Sequence, residues 1–294
     1  MIKIFTTFCL ALILLSSCDP KKTSENASLT EVDSVVAEST LPHDHIKGKG
    51  GYLYVDDGGE GNIPVLFVHS FGGSTEHWRN QLEHLRKDRR AIAFDLSGHG
   101  KSDTTVTEYE IETFSDDIAA VADSLKLDRF ILVGHSLGGA ASIKYSGDHP
   151  ERVAGLLLVG TPGKSSPEQS KPIITSLHSD KYQEVMDNYM KQLLTDAKPA
   201  VNSLVTENFN RISKPVSIEI IESIFAFDPT PSLNKYAGPK MIVSAPRESK
   251  QPGSLHKILP DVPYKSVEGT SHWIQLDKPD EFNKILDEFV KGIK

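Results

Sequence analysis

The stretch that most constrains this chain is Phe130-Ile131-Leu132-Val133-Gly134-His135-Ser136-Leu137-Gly138-Gly139. Four apolar residues in succession have the pattern of a strand buried on both faces of a parallel sheet. Beyond the serine, Leu137, Ala140, Ala141 and Tyr145 recur at helical spacing. Ser136 is therefore predicted on a sharp turn between strand and helix. Gly134 and Gly138 stand two positions either side of it, and without side chains they let strand and helix approach closely enough for the turn to close. Such a turn holds the Ser136 hydroxyl clear of the backbone. The new helix aims its first N–H groups at the same spot. A reacting carbonyl there would meet a nucleophile and a site for developing negative charge together. A glycine-rich turn whose serine merely caps the helix has the same local pattern, so the rest of the chain has to decide between the two.

Upstream, Tyr52-Leu53-Tyr54-Val55, Val65-Leu66-Phe67-Val68 and Ala91-Ile92-Ala93-Phe94 read as strands. Downstream, Leu156-Leu157-Leu158-Val159, Met241-Ile242-Val243 and Tyr264-Lys265-Ser266-Val267 do the same. Ile111, Phe114, Ile118, Val121 and Leu125 step by three and four along one helix face, and Phe282, Ile285, Leu286 and Phe289 mark a final amphipathic helix. Strands alternating with helices predict an α/β fold: a mostly parallel central sheet with helices on both faces. From about 162 to 239 the rhythm changes. Tyr182, Val185, Met186, Tyr189, Met190, Leu193 and Leu194, then Val216, Ile220, Ile221, Ile224 and Phe225, keep helical spacing with no strong strand between them. So long a strandless insertion reads as a helical cap inserted between two sheet strands, within one domain spanning 46–294. Apolar residues on its underside would line a substrate pocket.

From roughly Gly50 onward the chain resembles the α/β-hydrolase family. The G-x-S-x-G elbow carries the resemblance with two further stretches. His69-Ser70-Phe71-Gly72-Gly73 looks like the family's HGxGG loop, and Asp95-Leu96-Ser97-Gly98-His99-Gly100-Lys101-Ser102 is similar to its D-x-x-G-H-G-x-S stretch. The resemblance implies Ser136 as nucleophile, with acid and histidine following it along the chain. His272, in Gly269-Thr270-Ser271-His272-Trp273 after the last strand, matches the base. His135 adjoins Ser136 and should point away from it. The family usually places the acid after the strand that follows the cap. There Ser244-Ala245-Pro246-Arg247-Glu248-Ser249-Lys250-Gln251-Pro252 contains no aspartate, and Glu248 occupies the matching place. Asp228, on the return from the cap, is the alternative. The family's other acid location, after Leu156-Leu157-Leu158-Val159, holds Gly160-Thr161.

The implied oxyanion hole combines the Leu137 and Phe71 backbone N–H groups. Ser70 stands where the family normally has glycine, and serine is strained there if the position takes positive φ. His69 is expected to brace the loop, and Asp95 to organise its own loop. The predicted function is serine hydrolysis of a carboxylic ester or related acyl compound through an acyl-enzyme, with a small-molecule acyl substrate and neither metal nor organic cofactor. A cofactor-free perhydrolase or acyltransferase would use the same triad, and a non-catalytic ligand-binding member of the fold would use the pocket without turnover. Dehalogenases and epoxide hydrolases of similar architecture carry an aspartate nucleophile, which Ser136 disfavours.

Residues 1–17 read as a signal peptide: Lys3 supplies a positive charge, and the apolar run that follows is too short for an ordinary membrane span. Leu15-Ser16-Ser17-Cys18 resembles a bacterial lipoprotein cleavage box. That resemblance implies a lipidated Cys18 and a lipoprotein anchored to a membrane of the bacterial cell envelope. The polar stretch through residue 45 is then a flexible tether. His43-Asp44-His45 has metal-ligand residue types but no further ligand set nearby, and reads as a solvated loop. Of the 2 cysteines, Cys9 lies in the leader, which leaves the mature chain no intramolecular disulfide and no thiolate metal site. A formal charge of −8 argues against nucleic acid as a partner, and against electrostatic attachment to anionic lipid.

Overall fold

A computed structural model describes residues 44–294; the leader, Cys18 and the tether up to residue 43 lie outside the described residues. The elements run β1 His45–Gly48, β2 Gly51–Gly58, β3 Val65–Val68, α1 Arg79–Leu85, β4 Ala91–Phe94, α2 Ile111–Ser124, β5 Phe130–His135, α3 Leu137–Asp148 and β6 Val153–Val159. Five helices follow without a strand: α4 Pro167–Leu177, α5 Tyr182–Leu193, α6 Pro199–Phe209, α7 Lys214–Ala226 and α8 Thr230–Lys235. The sheet then resumes with β7 Lys240–Ser244, short helices α9 Pro246–Ser249 and α10 Leu255–Ile258, β8 Tyr264–Ser266, α11 Ile274–Asp277 and α12 Pro279–Lys291.

The strands form one sheet in the order β1-β2-β4-β3-β5-β6-β7-β8. β2 is antiparallel to both its neighbours, and β3 to β8 run parallel. Alternate residues of each central strand serve opposite faces. Val65 and Phe67 of β3 pack with Trp78, Leu82, Phe282 and Leu286 on one side. Leu66 and Val68 pack with Phe114, Ile118, Ala140 and Ile143 on the other. Both faces are covered, which is why these strands carry no polar alternation. The fold is therefore the α/β architecture with a mostly parallel sheet that the alternation of segments predicts.

The chain order reverses across β3: β4 lies on one side of it and β5 on the other. The crevice at such a reversal, outside the C-terminal strand ends, is where open α/β sheets bind ligands. The loops leaving β3 and β5 carry His69 to Gly73 and Ser136 respectively. One strand differs from expectation: the sequence reads as tether through residue 45, yet His45 opens β1. That strand pairs His45 with Tyr54 and Gly48 with Gly51. It has one apolar residue in four, so it exists through its pairing with β2 and not through a pattern of its own.

Candidate active site

Ser136 adopts φ 53° and ψ −114°, a backbone conformation that non-glycine residues rarely take. Its N–H donates to Val159 O at 2.9 Å, tying the turn to the neighbouring strand. The flanking glycines are required by space. A Cβ on Gly138 would lie 2.4 Å from His69 O, and one on Gly134 would lie 2.5 Å from Gly138 O. The third, Gly139, would place a Cβ 1.9 Å from Thr161 Oγ1. The turn thus closes against β3, its own helix and the loop after β6.

His272 and Glu248 arrive from the far end of the sheet. His272 Nδ1 contacts Glu248 Oε1, while Glu248 Oε2 accepts the Ala245 N–H at 3.1 Å. Nε2 of His272 is buried and has no hydrogen-bond partner among the described residues. Ser136, Glu248 and His272 line a single cavity of about 370 Å³. The His272 N–H donates to Leu193 O at 3.0 Å, which ties the histidine to the end of α5. Leu137 and Phe71 are both buried, and their N–H groups have no acceptor among the described residues. Asp228 lies elsewhere: it accepts from Lys164 Nζ at 2.6 Å and from the Thr230 N–H at 3.0 Å. The Lys164 ammonium and the Thr230 bonds hold its carboxyl down at about 2.

His69 and His135 are supports. His69 Nδ1 pairs with Ser70 O at 2.8 Å and Nε2 accepts the Leu96 N–H at 2.9 Å, so it holds two loops together. Burial lowers its pKa to about 4 and keeps the ring neutral. His135 turns from Ser136 toward His272 O at 3.0 Å and Gln275 Nε2 at 3.1 Å. Asp95 accepts the Thr75 N–H at 2.6 Å and the Lys101 N–H at 2.8 Å, organising its loop as expected. Among the described residues, no three His, Cys, Asp or Glu side chains are grouped to hold a metal ion.

A sequence profile of the alpha/beta hydrolase fold matches residues 63–213. The chain belongs to the α/β-hydrolase family. A stretch of 116 residues is 39% identical to the dihydrolipoyllysine-residue acetyltransferase component of an acetoin cleaving system from Pseudomonas putida, covering 39% of this chain and 31% of that protein. The match thus spans about a third of the Pseudomonas protein. A non-heme chloroperoxidase of Streptomyces lividans is 29% identical over 271 residues, 82% of this chain and 96% of that one. Among solved structures, Est816, described as an N-acyl homoserine lactone degrading enzyme, superimposes with a TM-score of 0.72 at 25% identity, covering 83% of this chain and 99% of that one. The chain is an enzyme of this fold.

Three features of this α/β hydrolase escape motif reading. The condition for strain at Ser70 is not met: the positive φ of the loop falls on Gly72, at 68°, and Ser70 is not among the residues with positive φ. Ser70 Oγ instead accepts the indole N–H of Trp273 at 3.2 Å, joining the loop after β3 to the residue beside His272. Gly160, at the family's other acid location, makes room for the histidine: a Cβ there would lie 3.0 Å from His272 Cε1. Asp277 is fully buried and accepts the Ser271 N–H at 2.8 Å, the Ser271 hydroxyl at 2.5 Å and the Lys198 N–H at 2.9 Å. Ser271, in the loop after β8, and Asp277, at the end of α11, stand six residues apart, and nothing in that spacing announces the clamp.

Proposed function

We propose that this α/β hydrolase is a serine hydrolase that cleaves a carboxylic ester or related acyl compound through an acyl-enzyme at Ser136. One observation carries the reading: His272 is engaged by Glu248 at Nδ1 while its Nε2 is buried, without a partner among the described residues, in the cavity that Ser136 also lines. A carboxylate at Nδ1 fixes the tautomer whose Nε2 lone pair accepts a proton. His272 takes the Ser136 proton as the hydroxyl attacks the acyl carbon. The Leu137 and Phe71 N–H groups receive the oxyanion. His272 then protonates the leaving group and later activates water, which releases the acid and restores the serine.

Ile173, Tyr189, Leu193, Ile221, Ile224 and Phe225 line the same cavity. Their supply of an apolar wall supports reading α4 to α8 as a cap over an acyl-binding pocket. The likeness to a chloroperoxidase supports a second reading, in which peroxide replaces water as the acceptor of the acyl group. A pocket for binding alone would have no use for Glu248 on His272. The Leu15-Ser16-Ser17-Cys18 box supports lipidation at Cys18 and anchorage to a membrane of the cell envelope.

The test is fluorophosphonate labelling of the parent and of Ser136→Ala, followed by a panel of chromogenic esters. The parent should label and turn over; the variant should lose the label and about 10⁶ in kcat, since the triad acts as a unit. Labelling that persists in Ser136→Ala, or a variant retaining more than a few per cent of the rate, would show that another residue is the nucleophile.

A further inference from the structure

We propose that the substrate carries a carboxylate in addition to its scissile acyl bond, and that Arg247 binds it. The inference rests on the hydrolase reading above and adds the charge of the molecule hydrolysed. It begins with a local imbalance. The chain has 40 acidic residues against 32 Lys and Arg. Yet the charged side chains lining the cavity are Lys164, Arg247 and the single carboxylate Glu248. Glu248 is already occupied, with one oxygen on His272 and the other on the Ala245 N–H. Lys164 is paired with Asp228 at 2.6 Å.

Arg247 is the cation left over. Among the described residues it makes no ion pair, and the acceptor found for its guanidinium is Leu193 O at 3.4 Å. That is the long end of hydrogen-bond range. A guanidinium presents five N–H donors in a fixed fork, so most of the fork is unengaged. The neighbouring cleft, of about 300 Å³, is lined by Asp196 and Glu268 as well as Arg247, but neither carboxylate pairs with it. Arg247 is half-buried, and a partly desolvated cation is costly until a counter-ion arrives. A planar carboxylate matches the fork with two parallel bonds.

The place of Arg247 ties this to the chemistry. Leu193 O accepts both from Arg247 Nη2, at 3.4 Å, and from the backbone N–H of His272, at 3.0 Å. The guanidinium and the histidine thus share one acceptor. An anion on the free fork would lie close to the reacting acyl bond, within the same small molecule. The apolar wall accepts the methylenes between the two groups. The class indicated is a short acyl ester bearing a carboxylate, such as a dicarboxylic acid monoester.

The experiment compares two esters of equal chain length, p-nitrophenyl hexanoate and the p-nitrophenyl monoester of adipic acid. The parent should favour the adipate ester in kcat/KM by about tenfold to a hundredfold, the worth of a hydrogen-bonded charge pair. The preference should reside in KM and shrink as salt is added. Arg247→Gln should bring the ratio of the two esters close to one, and Arg247→Lys should restore part of it. Using a ratio within each variant removes any effect of partial unfolding. Equal rates in the parent, or a preference that survives Arg247→Gln, overturn the inference while leaving the hydrolase reading intact. A parent that turns over neither ester removes both.

Discussion

At the scale of the residue, the acid of the proposed triad is the assignment with the most at stake. Glutamate is one methylene longer than aspartate, and the chain absorbs that length locally. Glu248 sits in a single turn of helix where its second oxygen folds back on the Ala245 N–H, which directs the first at His272. Gly160, at φ 52°, leaves the space that the ring and carboxylate share. Glu248→Gln keeps the shape and removes the charge, and is expected to lower kcat by about 10³ to 10⁴. Asp228→Asn should leave the rate close to normal, because Asp228 is spent on Lys164 and Thr230. Both are assayed on one chromogenic ester, with thermal unfolding as control. A collapse in Asp228→Asn beside a normal Glu248→Gln would transfer the role. That Ser136, His272 and Glu248 line one cavity was legible through the order of nucleophile, acid and histidine that the family resemblance implies. The Trp273 bond to Ser70 was not legible, since its partners lie 203 residues apart and neither type announces the other.

At the scale of the element, legibility followed burial. β3 and β4 are buried throughout, so their bounds stand out as unbroken apolar runs. α7 keeps a periodic face, and α5 packs Tyr182, Val185 and Tyr189 beside its buried Met186, whereas α4 sets only Leu177 against the core and contains Pro172, so pattern and propensity both fail there. The contact that joins the inserted helices to the loop carrying His272 was equally hidden. Asp277, in α11, accepts the Lys198 N–H at the start of α6 with one oxygen and Ser271 with the other. A buried carboxylate that holds three donors cannot be exchanged for an amide without setting N–H against N–H. Asp277→Asn should therefore destabilise the fold by about 3 kcal/mol. It should also lower kcat where the protein is still folded, because Ser271 precedes His272 and the loop loses its anchor. Urea unfolding and steady-state rates below the unfolding range check the two effects separately. An unchanged urea midpoint would show that the clamp carries no stability.

At the scale of the whole molecule, two properties are set by features far from the chemistry. The first is location. If Cys18 carries lipid, Cys18→Ala should leave the membrane fraction or remain unprocessed, and fractionation identical to the parent would end that proposal. The second is stability against acid. His69, His77, His99 and His135 are all buried, and burial lowers the first to about 4, the next two to about 3 and the last well below its ordinary value. In the unfolded chain each titrates near its ordinary 6.5. Below that pH the unfolded state binds protons that the folded state refuses. The stability they support is present above about 6.5 and is lost as pH falls toward the lowered values. Asp117 acts in the opposite sense: burial raises its carboxyl to about 7, so the folded state holds a proton there that the unfolded chain releases down to about 3.8. Burial raises Asp95 as well. Four lowered histidines outweigh two raised carboxyls in number. Between pH 6.5 and 5 a net loss of stability is therefore expected. Urea midpoints at the two pH values measure it, with an unchanged m-value showing that the same surface unfolds. A midpoint at pH 5 equal to that at 6.5 would mean that the four rings accept protons within the fold, and would remove the account of them as neutral buried rings.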